Sequence, residues 1–121
     1  MAITSIQTIT VPVSDQDRAL AFYRDALGFE VRADNPFGSM RWLTVGPVGG
    51  ETEIVLHLAL PGLEAGSSGG IVLATDDIDA ACAALADAGA TCSSPETVLW
   101  GRQAEFNDPD GNGFVLVQRA G

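Results

Sequence analysis

The sequence predicts an α+β fold in which two tandem βαβββ modules form a cupped antiparallel or mixed sheet. Residues 13–28 and 74–89 share one pattern: a Ser/Thr/Asp cluster, an apolar-periodic stretch and a closing glycine. Their offset of about 61 is half of the 121-residue chain, which indicates an internal repeat. We therefore expect one domain over residues 1–121, with module one at about 1–60, a linker at about 61–69 and module two at about 70–121.

Each element of module one has its own signal. Residues 6–13 alternate as in a strand, and the helix that follows ends at Gly28. Further strands are predicted at 30–33, 40–45 and 53–59. The packing stripe of the helix consists of Ala19, Leu20, Phe22, Tyr23, Ala26 and Leu27.

Module two repeats this order after the Gly- and Ser-rich linker. A strand at 70–75 precedes its helix, and strands are predicted at 90–92, 101–106 and 114–118. One helix cannot cover both faces of a four-stranded sheet, so one face of each sheet stays open. Two open faces can pair and enclose a cavity, where we expect a ligand.

Charge and composition exclude several classes of partner. Sixteen acids oppose six bases, for a formal charge of −10. Because there is no basic cluster, we expect no nucleic acid partner, whereas a cationic ligand is compatible with this charge. No apolar run approaches bilayer length and no secretory signal begins the chain, so we expect a cytoplasmic protein without membrane contact.

The two cysteines are too few for a disulfide scaffold. The helical pattern around Cys82 predicts a small buried side chain, and Cys92 falls in a predicted strand. We expect neither to have a catalytic or redox role.

The segment DPDGNG, at residues 108–113, matches the first half of a calcium loop. Such a loop needs a Glu at its twelfth position, where this chain has Arg119. An apolar, β-branched run follows instead of a helix. The segment is therefore predicted to be a hairpin turn.

Four motifs, in order, resemble those of a known family. They are VSD with RALAFY at residues 13–23, LGFE at 27–30, TDDID at 75–79, and DPDGN at 108–112 before a terminal strand. On these motifs, nearly the whole chain resembles the vicinal oxygen chelate superfamily. That superfamily groups glyoxalase I, ring-cleaving dioxygenases, fosfomycin resistance enzymes and bleomycin resistance proteins. The resemblance implies the glyoxalase/bleomycin resistance fold, although a fold does not determine function.

The resemblance also implies where a metal would bind. In metal-dependent members, two His or Glu ligands come from each module, and these positions hold Thr8, Val55, Gly70 and Val115 here. None is a strong ligand for zinc, nickel or iron. We therefore expect no metal and no cofactor, and with them no glyoxalase, epimerase or dioxygenase chemistry of the usual kind.

A narrower resemblance, over residues 99–112 (LWGRQAEFNDPDGN), is to bleomycin resistance proteins. Those are acidic dimers without a metal site that sequester a cationic, aromatic drug. Trp42 and Trp100 are predicted to stack on such a ligand, and Phe37 to close over it from a flexible flap at 33–39. Arg102 either pairs with a ligand anion or holds the neighbouring loop. The alternative is that Trp100 packs at a dimer interface and Arg102 bonds loop carbonyls.

His57 is the single histidine and lies two residues after Val55, on the same predicted strand face. It is a candidate to bind ligand or to act as a lone base, with Glu105 as a weaker carboxylate partner; the competing interpretation is a packed histidine in the cavity wall.

The leading hypothesis is a homodimer that binds or sequesters a small molecule without a metal, as antibiotic-resistance proteins do. The alternative is a lyase, isomerase or dioxygenase of this superfamily with a non-standard metal or acid–base site that uses His57. A third hypothesis is a structural or regulatory dimer whose cavity is filled by side chains.

Overall fold

Within residues 2–120, eight strands form two four-stranded mixed sheets, and one of two helices packs on each sheet. The structure, a computed structural model, describes residues 2–120; Met1 and Gly121, the ends of the predicted domain, lie outside the described residues. The elements are β1 (Thr8–Val13), α1 (Gln16–Asp25), β2 (Glu30–Phe37), β3 (Met40–Gly46), β4 (Glu53–Leu58), β5 (Ile71–Ala74), α2 (Ile78–Asp87), β6 (Glu96–Val98), β7 (Gly101–Asn107) and β8 (Gly113–Arg119).

Both sheets have the same strand order. Sheet 1 runs β1-β4-β3-β2 and sheet 2 runs β5-β8-β7-β6. The first strand of each module pairs with the last in parallel, and the remaining pairs are antiparallel. The predicted α+β fold with two βαβββ units is confirmed.

The two helices begin and end as the sequence pattern predicts. An aspartate caps each N-terminus: Asp15 accepts from the Arg18 amide and Asp77 from the Ala80 amide, both at 3.0 Å. The chain leaves each helix through a glycine with positive φ, 72° at Gly28 and 84° at Gly89.

The segment at residues 33–39, predicted as a flexible flap, is part of a paired β-hairpin and not a loop. Residues 33–37 continue β2 and pair with β3, so that only Gly38 and Ser39 form the hairpin turn. A strand containing Pro36 is tolerated because β2 is an edge strand and the missing N–H faces no partner strand. Asp34 adds a bidentate pair with Arg41 on β3, at 2.8 and 2.9 Å.

The predicted strand at 90–92 is also wrong. Cys92 makes only an isolated bridge with Phe106, and Ser93 exchanges bonds with the Glu105 backbone. The edge strand of sheet 2 lies later, at Glu96–Val98. Only three residues pair there, too few for an alternating pattern to be visible in the sequence. Similarly, β1 begins at Thr8 rather than at residue 6.

One hydrophobic core receives side chains from the helix-bearing faces of both sheets. The rings of Phe22 and Phe106 have centroids 6.4 Å apart, and those of Tyr23 and Phe114 are 6.0 Å apart. Helix α1 of module one therefore packs directly on sheet 2. The helix-bearing faces meet inside one chain, and the open face of each sheet is left at the outside.

The turn of the β7–β8 hairpin joins the two modules. The Asn112 side chain is buried and its amide donates to the carbonyl of Pro12 on β1 and to Asp108, both at 2.8 Å. Its oxygen accepts from the Ser68 amide at 3.0 Å, and Tyr23 on α1 donates to Asp108 at 2.8 Å. The DPDGNG segment is thus a hairpin turn, as predicted, and its side chains bond to module one.

Within residues 2–120, neither helix is long and apolar enough to cross a membrane.

Candidate functional site

The open face of sheet 1 is defined by strand alternation. Leu43 and Val45 on β3, and Ile54 and Leu56 on β4, enter the core, so the residues between them point to the opposite face. This open face carries Thr8, Thr10, Met40, Trp42, Thr44, Glu53, Val55 and His57. Thr44 and Val55, where β3 pairs with β4, are themselves buried.

Strands β3 and β4 separate at one end of this sheet. They pair at Thr44 with Val55 and at Val45 with Ile54 and not farther toward the β2–β3 turn. The side-chain amide of Gln16, the first residue of α1, bridges the gap by donating to the carbonyls of Arg41 and Leu56, at 3.1 and 2.8 Å. A groove of about 580 Å³ opens there, lined among others by Gln16, Pro36, Met40, His57 and Leu58.

His57 lines this groove with a defined ring orientation. Its Nδ1 lies 2.7 Å from the carbonyl oxygen of Leu58, and its Nε2 lies 3.1 Å from the Met40 sulfur. A carbonyl oxygen only accepts, so its partner assigns the proton to Nδ1. In the neutral ring Nε2 is then an acceptor, beside a polarizable thioether. This end of the groove suits a ligand N–H or O–H donor attached to an apolar or aromatic body.

Two of the other predicted ligand residues lie on the same sheet. Trp42 is 38% exposed on the open face of β3. Phe37 ends β2 opposite Met40, the residue that contacts His57, and is 70% exposed. Sheet 1 thus brings Phe37, Trp42 and His57 to one side. The aromatic rings of Phe37 and Trp42 are partly exposed to solvent there, unlike the rings in the core.

Trp100 belongs to the open face of sheet 2. It lies in the β6–β7 turn, is 57% exposed, and donates its indole N–H to Gln103 at 3.2 Å. A depression of about 650 Å³ on this face is lined by Val72, Ala74, Trp100, Gln103, Val115, Val117 and Arg119. This second apolar surface is separate from the His57 groove.

Arg102 points to the other face of sheet 2. Ala104 and Phe106 on the same strand enter the core, so alternation places Arg102 on the helix-bearing side. Its guanidinium makes a bidentate pair with Asp79 in the first turn of α2, at 3.0 and 3.2 Å. This bond lowers the pKa of the Asp79 carboxyl. Among residues 2–120, Arg102 thus bonds Asp79 on α2 and not the loop carbonyls.

Of the four positions that the family resemblance assigns to metal ligands, three lie on open faces, and Gly70 precedes β5. Thr8 and Val55 lie on the open face of sheet 1 and Val115 on that of sheet 2. Among residues 2–120, no three His, Cys, Asp or Glu side chains gather closely enough to hold a metal ion. His57 and Glu105 lie in different sheets and line separate depressions.

Two groove residues were missed at the level of sequence. Met40 shares the parity of Trp42 on β3, so alternation would have found it. Gln16 had no such signal, because its role depends on the separation of two strands that are distant in sequence.

Comparisons with known proteins agree with this architecture. The model of the Glyoxalase/Bleomycin resistance protein/Dioxygenase superfamily matches residues 5–116. The uncharacterized protein YetH of Bacillus subtilis (strain 168) is 34% identical over 120 residues, which cover 96% of this chain and 99% of YetH.

Two solved structures are similar over almost their whole lengths. TnmS3, an antibiotic binding protein from Streptomyces sp. CB03234, is 46% identical with a TM-score of 0.94, and 99% of each chain is covered. A superfamily member from Sphaerobacter thermophilus DSM 20745 is 42% identical with a TM-score of 0.89, covering 98% of this chain and 100% of its own.

Proposed function

Since the chain belongs to the Glyoxalase/Bleomycin resistance protein/Dioxygenase superfamily, we propose that it binds and sequesters a small organic molecule on the open faces of its sheets, without a metal or cofactor. The observation that carries this proposal is the exposed aromatic surface of sheet 1 beside the His57 groove. The similarity to TnmS3, described as an antibiotic binding protein, supports an antibiotic-like ligand.

The chemistry of this part of sheet 1 supports a planar, cationic ligand. Trp42 and Phe37 offer flat apolar surfaces for stacking, and an aromatic face also attracts a cation. His57, which lines the neighbouring groove, offers a hydrogen-bond acceptor. The net charge of −10 raises the local concentration of cations around the chain.

We include a homodimer in the proposal. The groove on sheet 1 and the depression on sheet 2 are both open at the outside of the chain. If the open face of sheet 1 is covered by the open face of sheet 2 from a second copy, the two surfaces form one enclosed site, and Trp100 joins Trp42 around the ligand. The cytoplasmic location expected from the sequence is part of the same proposal.

Absence of a metal is supported by the donor set. Valine at positions 55 and 115 and glycine at 70 supply no side-chain ligand. The enzyme alternative has no observation in its favour: the His57 ring nitrogens contact Leu58 and Met40, and neither is an acid–base group.

The first prediction is that planar aromatic cations and bleomycin quench tryptophan fluorescence and raise the melting temperature. The chain has two tryptophans, so Trp42→Phe and Trp100→Phe each leave one reporter. We expect Trp42→Ala to weaken binding about 10-fold or more, since a stacked, desolvated ring contributes roughly 1.5 kcal/mol. Isothermal titration calorimetry measures the affinities.

Val48→Ala is the matched control, because Val48 is exposed in the β3–β4 loop away from the groove. No quenching and no thermal shift at ligand concentrations up to about 1 mM would contradict the binding function.

Elemental analysis of protein purified without chelator tests whether the protein is free of metal. Stoichiometric Zn, Ni, Fe or Mn would contradict that part of the proposal.

A further inference from the structure

The two cysteines lie against each other in the folded chain. Cys82 is on α2, and Cys92 follows the turn at Gly89 and bridges Phe106 on β7. Their sulfur atoms are 2.8 Å apart, and both side chains are only partly buried. The pair lies on the helix-bearing side of sheet 2, away from the His57 groove on sheet 1.

Because of this contact, and contrary to the expectation from sequence, we propose that Cys82 and Cys92 form a redox modification site, a dithiol that a hydroperoxide converts to an intramolecular disulfide. In the first step the Cys82 thiol loses its proton, and the thiolate attacks a peroxide oxygen. The O–O bond breaks, Cys82 becomes a sulfenic acid, and the departing hydroxide, or alkoxide for an organic hydroperoxide, takes up the released proton to give water or an alcohol. In the second step the Cys92 sulfur attacks that sulfenic sulfur, the S–O bond breaks, and the hydroxyl leaves with the Cys92 proton as water. The two thiols lose two electrons and the peroxide gains them.

The surroundings assign different roles to the two thiols. Arg102 is held by Asp79, which lies three residues before Cys82 on α2 and therefore on the same side of the helix, one turn away. The pKa of Cys92 is raised to about 12, first by burial and then by its hydrogen bond with Cys82. Because the thiolate is the nucleophile, Cys82 attacks the oxidant and Cys92 resolves the intermediate.

Oxidation adds a covalent restraint at one edge of sheet 2. The disulfide links α2 to the segment that leads into β6, a strand with only three paired residues. It closes a short loop and restricts the unfolded chain more than the folded one. We therefore expect the oxidised protein to melt roughly 5–10 °C higher than the reduced protein.

The test uses the purified full chain with hydrogen peroxide as the oxidant. We expect intact-mass spectrometry to show the loss of two hydrogens and peptide mapping to show Cys82 linked to Cys92 within one chain. Dithiothreitol should reverse both changes. Separate addition of oxygen to each cysteine, links only between chains, or no thiol loss under conditions that oxidise an unfolded control would overturn the proposal.

Single variants separate the roles and control for folding. The Cys92→Ser variant lacks the resolving thiol, so a sulfenic acid should accumulate at Cys82. A dimedone probe captures it. Cys82→Ser should react at least 10-fold more slowly with peroxide, since burial of Cys92 persists. Equal rates in the two variants would overturn the assignment of roles. Circular dichroism tests whether both variants fold. Titration with the planar aromatic cations or bleomycin is a second test of folding, because the cysteine pair lies outside the groove.

Discussion

At the residue scale, Tyr23 shows what sequence periodicity can and cannot predict. Its place in the apolar stripe of α1 predicts a core position, and the ring is fully buried against Phe22, Phe29 and Phe114. The bond from its hydroxyl to Asp108 lies outside any local pattern, because the partner is 85 residues away. A buried hydroxyl needs such a partner, so sequence predicts the need and not the identity.

Tyr23 also predicts a pH dependence of stability. Burial, and next the charge of Asp108, raise the pKa of this phenol above its usual 10.0. The folded state therefore keeps the proton at a pH where the unfolded state loses it. The contribution is fully present below pH about 10 and is lost as the pH rises beyond it. Urea unfolding at a series of alkaline pH values measures the slope.

Tyr23→Phe is the comparison for this experiment. It should lower the free energy of unfolding by about 1–2 kcal/mol at neutral pH, since Asp108 loses a buried donor, and it should flatten the alkaline slope. The slope that remains belongs to Cys92, whose pKa is also raised. As Tyr23 is the single tyrosine, phenolate absorbance that appears near pH 10 in the folded protein would contradict the prediction.

At the element scale, the β7–β8 hairpin does more than its turn residues predict. The DPDGNG pattern indicates a turn and sets the register of β8, which places Val115 on the open face. The turn side chains also hold module two against the linker and β1, through bonds whose partners, Ser68 and Pro12, are 44 and 100 residues away in sequence. Those contacts could not be read from the turn itself.

Asn112→Ala tests this attachment. The substitution leaves the Pro12 carbonyl, the Ser68 amide and one Asp108 bond without their partner, in a buried site. We expect a loss of about 3 kcal/mol in the free energy of unfolding, measured by urea denaturation. The matched control is Asn35→Ala on an exposed edge strand, expected to change stability by less than about 0.5 kcal/mol. Equal effects of the two substitutions would show that the Asn112 bonds do not stabilise the fold.

The edge strands mark where element prediction failed. Asp34, Asn35 and Pro36 favour a loop by composition, yet the β2 edge accepts them because pairing with β3 uses only one side. Tertiary pairing overrode local propensity there.

At the scale of the whole molecule, the pairing of the sheet faces determines where the candidate site lies. Each sheet has a helix-bearing face and an open face, and within this chain the helix-bearing faces share the core. Exposed apolar side chains therefore remain on both open faces, among them Trp42 and Val72, and surfaces of this kind indicate a binding site or an interface.

We expect the chain to sediment as a dimer through these open faces. Val72, 61% exposed on β5, is a position where Val72→Asp should favour the monomer, because a charge would be buried in the interface. Val48→Asp is the control: this residue is 76% exposed in a loop and its substitution should leave the dimer intact. Analytical ultracentrifugation distinguishes the two, and a monomeric wild-type chain at micromolar concentration would contradict the dimer.

The sequence by itself determined the repeat, both helices with their caps, the central strands, the last turn, and the parity that places His57 with Val55. These features depend on residues close together in the chain, where period, capping and turn chemistry act. Only the tertiary structure decided which sheet faces meet, where β3 and β4 separate around Gln16, that Arg102 turns toward α2, and that the two cysteines touch. Each of those outcomes depends on packing between segments far apart in sequence, and no local pattern records it.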